Sequence, residues 1–477
     1  MSLDAQTLTA SDHTRAQSLG VLQLLNDQHL NATYSKYLDR STYAATLQPM
    51  EDAWSLFPEV YTDPAFARLE LEKVFKQSWV ALDHKSDALQ THGDVVSTSI
   101  GDTPLLITNH HGILKAFYNV CRHRGSILLK EGKYSKCNVI RCPYHSWGYS
   151  CDGKLAGAPY FNDDKMPKNK LQRNDPSLTN EMFEFKKINF NKQDYSLFEI
   201  GVKEFMGTLF VNLDADTARR EALWQYQFGD LNENYGHYPY SDMRVVEQYK
   251  YSIQANWKLI AENFIEYYHL PWVHPELCMV SSVANHIRRQ GAGQYTGFAT
   301  YPLTYGNTPA DPDAFAPFSG LNASDLEAAW FLQIFPNISY FIFPHHIITL
   351  ICYPTKDPGV TAEKMTVLMD KSVKQHLNDV KDLSEAEDAV KEKVKKLTDF
   401  YQLVNDQDIE AVESVQRGLQ STGHVYRGGR LSAKFEEPIY RFQHILVDYM
   451  TDCHMKEYPG DHDFVPSQFV QRAHANS

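Results

Sequence analysis

Three short runs rich in apolar and β-branched residues, 95–100, 104–108 and 114–118, are separated by Gly101-Asp102 and by His110-His111-Gly112. Short runs of this kind with turn residues between them predict strands joined by tight hairpins. Val139-Ile140 and residues 147–149, followed by Asp152-Gly153, extend the pattern, so residues 79 to about 190 read as a small antiparallel β domain. Ahead of it, Asp63-Pro64 offers a cap and a first-turn proline for a helix that carries Phe66, Leu69, Leu71, Val74 and Phe75 to Trp79.

A different texture follows. Residues 207–213, GTLFVNL, predict a strand, 219–235 a helix and 245–253 another strand. Within 256–275, Trp257, Ile260, Ala261 and Phe264 recur at helical spacing, and Pro271 is expected to stop that helix just after His269. Residues 295–322 are rich in glycine and proline and read as loop. The aromatic, β-branched stretch 330–353 predicts central strands, most of whose rings belong to the core. Residues 366–373 suggest one more strand. Ser384–Glu387 is a capping box for a charged helix with Val390, Val394, Leu397 and Phe400 on its buried stripe, and a second helix is expected to begin within 405–421. A last amphipathic helix covers 435–449. Residues 1–55 are polar and loosely patterned, with a possible helix at 15–25. The expected class is α+β, with an extension (1–55), a small antiparallel β domain (56–200) and a larger domain whose antiparallel sheet is flanked by helices (201–477).

Length and composition add boundaries. A chain of 477 residues with 43% hydrophobic and 22% charged positions is long enough for two domains with a large core. The net charge of −13 gives no electrostatic help to nucleic-acid or anionic-membrane binding. No apolar run approaches the roughly 20 residues that span a bilayer. Seven irregularly spaced cysteines are no disulfide framework and suggest a reducing compartment. The N-terminus carries Asp4 and Asp12 before any basic residue, unlike a secretory signal or an acid-poor transit peptide. A cytoplasmic location is expected, with an organellar address left open.

The chemistry concentrates in two stretches. In the first, Cys121-x-His123 and Cys142-x-x-His145 stand 18 residues apart, each running into a loop signal, Arg124-Gly125 or Ser146-Trp147-Gly148. One cysteine and one histidine per loop suit a cluster clamped from two sides. In a Rieske-type [2Fe-2S] centre two thiolates hold one iron and two imidazoles the other. The competing reading, a Cys2His2 zinc site, requires paired cysteines before paired histidines. Cys137, Cys151, Cys278, Cys352 and Cys453 read as structural. In the second stretch, Glu266 and His269 are three apart on the expected helix, and His274 lies beyond the turn, free to fold back. Two such histidines can share a metal ion; the bland alternative is a pair of surface histidines in a chain that has 20. A carboxylate would complete the 2-His-1-carboxylate set that leaves positions on Fe(II) for O2 and substrate.

CRHRG and CPYHSWGY resemble the two halves of the Rieske motif of ring-hydroxylating and related Rieske non-haem iron oxygenases, with a loop interval at the long end for that family. Residues 256–275, NWKLIAENFIEYYHLPWVHP, resemble its mononuclear-iron motif. The resemblance implies a [2Fe-2S] cluster on Cys121, His123, Cys142 and His145, and Fe(II) on His269, His274 and Asp408. Asp408 matches by its offset from Val415-Gln416; Asp406 is the nearest rival and could instead cap the helix. It also implies electrons from a separate NAD(P)H-dependent reductase or a ferredoxin, and a homotrimer in which Glu266 bridges His269 to His145 of a neighbouring subunit. Arg122, Arg124, Lys130, Lys133 and Lys136 would give an acidic donor a docking face.

Ring-hydroxylating members usually have aspartate at the position of Glu266. Glutamate there, with VQRGLQS at 415–421, is similar to the choline monooxygenase and the carnitine and glycine-betaine oxygenase branch. That implies hydroxylation or N-demethylation of a quaternary ammonium compound held on aromatic faces. Tyr268, Trp330, Phe335 and Phe341 are the candidate rings. The alternatives are a dioxygenase acting on an aromatic acid, and a non-enzymatic Rieske electron carrier that would leave the second stretch unexplained.

Overall fold

The computed structural model describes residues 34–85, 89–159, 161, 189–214, 216–280, 282–303, 315–373, 385–422 and 425–453. The possible helix at 15–25 and the cap at Ser384 lie outside them. Among the described residues, one compact unit comprises 89–203, and the other 34–85 together with 204–453.

Helix α1 (Pro64–Glu70) begins as expected, the Asp63 carboxylate accepting the Ala65 N–H at 2.8 Å with proline in the first turn. It widens into a π-helical turn over Leu71–Phe75 and stops short of Trp79. The segment clusters with the second unit, not with the small β domain that it was expected to introduce. Buried polar bonds explain why. Glu70 accepts from Trp257 Nε1 and from Lys258 Nζ, each at 2.8 Å, and the Tyr61 hydroxyl donates to Glu262 at 2.8 Å. Strand β1 (Val80–His84) then pairs with β10 (Thr208–Asn212).

In the first unit, β2 (Val95–Ile100), β3 (Thr103–His110) and β4 (Ile113–Tyr118) form the expected hairpins, with β5 (Gly132–Tyr134) beside β2 and β9 (Glu199–Phe205) beside β4. The β3–β4 turn places His111 at φ 53° and Gly112 at φ 87°, the doubly left-handed turn that matches strand twist. A separate three-stranded sheet, β6 (Val139–Arg141), β7 (Gly148–Ser150) and β8 (Leu155–Gly157), lies where short segments were expected.

The second unit is built on a seven-stranded antiparallel sheet in the order β11-β17-β16-β15-β14-β13-β12. Its strands are β11 (Met243–Ile253), β12 (His286–Gln290), β13 (Tyr295–Thr300), β14 (Ala329–Ile334), β15 (Ile338–Ile342), β16 (Ile347–Pro354) and β17 (Thr361–Asp370). Strand β13 corrects the expected loop. Its Gly297 looks like a loop residue, yet a Cβ there would lie 1.9 Å from the Phe331 carbonyl oxygen, so close strand approach requires the glycine. The expected helix at 219–235 is two, α2 (Thr217–Phe228) and α3 (Leu231–Tyr235). Gly229 parts them at φ 45°, where a Cβ would meet the Ala292 carbonyl oxygen at 1.5 Å.

Side chains alternate along β14 between two cores. Trp330 and Leu332 pack with Phe228, Leu231 and Tyr238, whereas Ala329 and Phe331 pack with Tyr267, Leu270 and Tyr401. Against the second face lie α4 (Trp257–Ile265), the short α5 (Leu270–Val273) and α6 (Glu385–Thr422); α7 (Glu437–Thr451) closes the unit. Helix α6 is a single rod of 38 residues where two helices were expected.

Glu262 on α4 is buried and accepts from Gln443 Nε2 at 3.0 Å as well as from Tyr61. Burial, partly offset by those bonds and by Lys258, pushes it up to about 7. A raised folded-state value means that the protonated folded form is favoured, so its contribution is fully present below about pH 4.5 and is lost as pH rises through 7. Glu262→Gln is expected to flatten this fall in melting temperature. The difference between wild-type and variant Tm from pH 4.5 to 7 measures it.

Candidate metal centres

The two cluster loops share one hydrogen-bond pattern. Cys121 N–H donates to the Ser126 carbonyl and Gly125 N–H returns to Cys121; Cys142 N–H donates to the Trp147 carbonyl and Ser146 N–H returns to Cys142, all between 2.8 and 3.0 Å. The fourth residue after each cysteine has positive φ, Gly125 at 74° and Ser146 at 60°. Cys121 and Cys142 are buried and free of disulfide bonds, and the rings of His123 and His145 lie 4.7 Å apart. His123 Nδ1 is buried with no hydrogen-bond partner among the described residues, as befits an atom that faces a metal. The donor set fits a [2Fe-2S] cluster. Burial works to raise the Cys142 thiol, but the backbone N–H groups of His145 and Tyr144 outweigh it and lower it.

Tyr149, unremarked in the sequence, lies with its hydroxyl 3.3 Å from Cys121 Sγ and 3.0 Å from the Arg122 N–H that donates to it. A hydrogen bond to a ligand sulfur is one lever on a cluster's potential. Among the basic residues, Arg124, Lys130, Lys133 and Lys136 are exposed. Arg122 is not available for docking: its guanidinium lies over Phe198 and donates to the Ser196 carbonyl at 2.6 Å.

In the second unit, α4 ends at Ile265, and Glu266 is extended at φ −115° and ψ 166°. Pro271 lies in the first turn of α5 and opens that helix; it does not stop α4. Glu266 and His269 still meet, through the loop and not a helix face. One Glu266 oxygen takes the His269 Nδ1 proton and the other accepts the Tyr268 N–H. His269 caps α5 and His274 follows it, buried.

The third group comes from the middle of α6, which Gln416 and Glu413 tie to the entrance of α4 by accepting the Asn256 and Gln254 N–H groups at 3.0 and 2.9 Å. Asp408 Oδ1 stands 2.9 Å from His274 Nε2 and 3.4 Å from His269 Nε2. Asp406 is exposed. One ligand atom from each of His269, His274 and Asp408 lies within 4.8 Å of the others. Burial opposes charge on His269, yet the Asp408 and Glu266 carboxylates raise its ring to about 10; burial likewise opposes charge on Asp408, and the histidines lower it to about 2. The site draws positive charge to one point, and its two imidazoles and carboxylate fit a mononuclear iron.

Gln407 is the residue that sequence reasoning missed. Its Oε1 accepts a hydrogen bond from His274 Nδ1–H at 2.7 Å, so both histidines are held with Nε2 toward the shared point. Nothing in the sequence marks it, because its role depends on the phase of α6 and the closure of a loop 133 residues earlier. Gln407→Leu is expected to weaken iron binding by about 10–100-fold. Iron retained after graded chelation, read against an unchanged cluster spectrum, checks this.

Residues 78–171 match the Rieske [2Fe-2S] domain, and residues 240–452 match the catalytic domain of the ring-hydroxylating alpha subunit. The chain belongs to the Rieske oxygenase alpha subunits. It is an oxidoreductase of that family, whose two domains imply a [2Fe-2S] cluster and a mononuclear iron. The carnitine monooxygenase oxygenase subunit of Acinetobacter baumannii is 28% identical over 406 residues, 83% of this chain and 95% of the relative. A solved quaternary ammonium Rieske monooxygenase, described for carnitine oxidation by gut microbiota and inter-subunit electron transfer, has a TM-score of 0.64 at 23% identity, covering 87% of this chain and 99% of its own. Naphthalene 1,2-dioxygenase from Rhodococcus sp. has a TM-score of 0.61 at 20% identity, covering 86% and 98%. These Rieske oxygenase structures establish the fold and leave the substrate open.

The four candidate rings separate in this Rieske oxygenase. Phe341 packs on the face of the sheet that carries Tyr267 and Leu270, 4.9 Å from Phe264 and 5.5 Å from Phe331. Tyr268 is half exposed and stacks on Phe435. Trp330 faces the opposite core, where its Nε1 donates to the Tyr238 hydroxyl at 3.1 Å; strand alternation turns it away from the core that holds Tyr267, Leu270 and Tyr401. Phe335 packs among Trp257, Phe442 and Tyr449. The rings beside Phe341 that the sequence did not single out are Phe264 and Phe331. Among the described residues no helix is long and apolar enough to cross a membrane.

Proposed function

We propose that this Rieske oxygenase uses O2 and electrons from a separate NAD(P)H-dependent reductase or ferredoxin to hydroxylate or N-demethylate a quaternary ammonium compound of the carnitine, glycine betaine or choline type. The observation that carries the reading is similarity along nearly the whole length of a carnitine monooxygenase oxygenase subunit. Glu266 supports it, because the ring-hydroxylating branch usually carries aspartate there.

Cys121, His123, Cys142 and His145 would hold the [2Fe-2S] cluster, and His269, His274 and Asp408 the Fe(II). When bound, these groups supply one-electron transfer and O2 activation. The chain's own residues do the rest. Glu266 and Gln407 fix the tautomers of the two histidines. Phe264, Phe331 and Phe341 give apolar, π-rich surface on the same side of the sheet. A quaternary nitrogen has no proton to donate, so an aromatic face, worth roughly 0.5–2 kcal/mol per ring, suits it better than a hydrogen-bond acceptor.

The subunits assemble as a homotrimer in which the His145 loop of one chain meets the Glu266 loop of the next. Exposed aromatic side chains mark both loops: Tyr144 is 58% exposed, Tyr268 51% and Trp272 81%. Large exposed rings beside metal ligands are suited to burial in an interface.

Substrate-dependent O2 uptake with a reductase, measured against carnitine, glycine betaine, choline and benzoate-like acids, tests the reading. Coupled uptake with a quaternary ammonium compound is expected. A response confined to aromatic acids would replace it with the dioxygenase reading.

A further inference from the structure

His110-His111-Gly112 reads in the sequence as hairpin punctuation, and neither centre described above uses these residues. In the first unit, the turn stands beside another histidine, His92, on the loop before β2. One ligand nitrogen from each of His92, His110 and His111 lies within 4.8 Å of the other two. The rings of His92 and His111 stack at 3.8 Å, those of His110 and His111 are 4.7 Å apart, and those of His92 and His110 are 5.5 Å apart. We propose that these three histidines form a second, separate metal site that takes a divalent transition-metal ion of the zinc, nickel or copper class.

The backbone gathers the three residues without help from any ligand. Gly93 N–H donates to the Asn109 carbonyl at 3.0 Å, and Asn109 N–H donates to the Asp94 carbonyl at 2.9 Å. Asn109 Nδ2 reaches the Leu89 carbonyl and its Oδ1 accepts the Gly112 N–H, both at 2.8 Å. Gly93 has φ 89°, and a Cβ there would lie 3.1 Å from Cys137 N, the amide that donates to the Gly93 carbonyl at 2.7 Å. The loop that carries His92 is thus locked to the turn that carries the other two. The entropy of bringing three imidazoles together, usually a large cost of a metal site, is already met by the fold.

One further observation points to a ligand: His110 Nδ1 is buried and has no hydrogen-bond partner among the described residues. His92 Nδ1 accepts the His111 N–H at 3.3 Å, a further tie between the two segments. A tetrahedral ion with bonds of about 2.0–2.1 Å needs ligand nitrogens about 3.3 Å apart. Reaching that spacing requires the exposed His111 ring to leave its stack on His92. Three imidazoles with no carboxylate among them select zinc, nickel or copper over calcium or magnesium. They leave one coordination position open to water. The site is distinct from the cluster loops, since the six residues of β4, about 20 Å of strand, separate the turn from the residues that lead to Cys121.

Equilibrium dialysis of the cluster- and iron-loaded protein against micromolar zinc chloride, with bound zinc counted by atomic emission, tests the proposal. The comparison uses wild type, His111→Asn and His269→Ala. Asparagine tolerates the positive φ of position 111, so the turn survives, and an unchanged cluster spectrum verifies that the unit is folded. One zinc per chain is expected in wild type and in His269→Ala, with at least a 100-fold loss of affinity in His111→Asn. Zinc should also raise the melting temperature of wild type but not of His111→Asn. Equal zinc binding by wild type and His111→Asn, or zinc uptake that vanishes in His269→Ala, would overturn the proposal.

Discussion

Asp408→Ala is expected to lose the mononuclear iron and all turnover, while the cluster keeps its spectrum and its two sulfides. Among the described residues, Asp408 Oδ1 is the one carboxylate oxygen paired with both Nε2 atoms, and α6, which carries it, is pinned to α4 by Gln416 and Glu413. Of the carboxylates nearby, Asp406 is exposed and Glu266 is committed to His269 Nδ1. Iron analysis should fall from three irons per chain to two, and activity to background. The variant also tests transfer between subunits. Co-expressed with Cys142→Ser, which removes the cluster but leaves the iron ligands, it should give mixed oligomers that regain turnover. No regain would place electron transfer within a single chain.

Glu266→Gln is expected to keep both centres and still lose about 10–100-fold in turnover. The amide oxygen can accept from His269 Nδ1, so iron content should fall little. What disappears is the negative charge that holds the His269 ring in place and, in the proposed trimer, the second oxygen that would meet His145 of the next subunit. Stopped-flow reduction separates the two roles. If the cluster reduces normally but its reoxidation with substrate and O2 is slow, Glu266 acts on the path between centres. Iron loss matching that of Asp408→Ala would reduce it to a support for the ligand.

The hairpins of the first unit were legible because short apolar, β-branched runs and the turn residues between them are local signals, and residues 95–100 were read to their ends. The two cysteine-histidine pairs were legible as a candidate cluster site because such spacing on loops has few other uses. Where the reading failed, the decisive contact was distant in sequence. Gly297 looked like loop until the Phe331 carbonyl was found against it. Pro271 was read as a stop although a first-turn proline equally starts a helix. Residues 385–422 were divided in two because polar residues interrupt the apolar stripe, yet the rod is continuous. Trp330 and Phe341 are indistinguishable in a largely apolar stretch, and only the strand register sorts them onto opposite faces. Gln407 had no sequence signal at all.

The division of the second unit into residues before and after the first unit sets an order of events during synthesis. The first unit is complete once residue 203 has left the ribosome. At that moment Glu70 lacks Lys258, Tyr61 lacks Glu262, and β1 lacks β10. At roughly 5–20 residues per second, the chain needs on the order of 10–50 s more to reach Gln443. Through that interval the electron inlet can already take its final shape, while α1 and Trp79 wait for partners that do not yet exist. A mutation that slows closure of the second unit would therefore reveal itself first as nascent chains with an assembled inlet and nothing for it to serve.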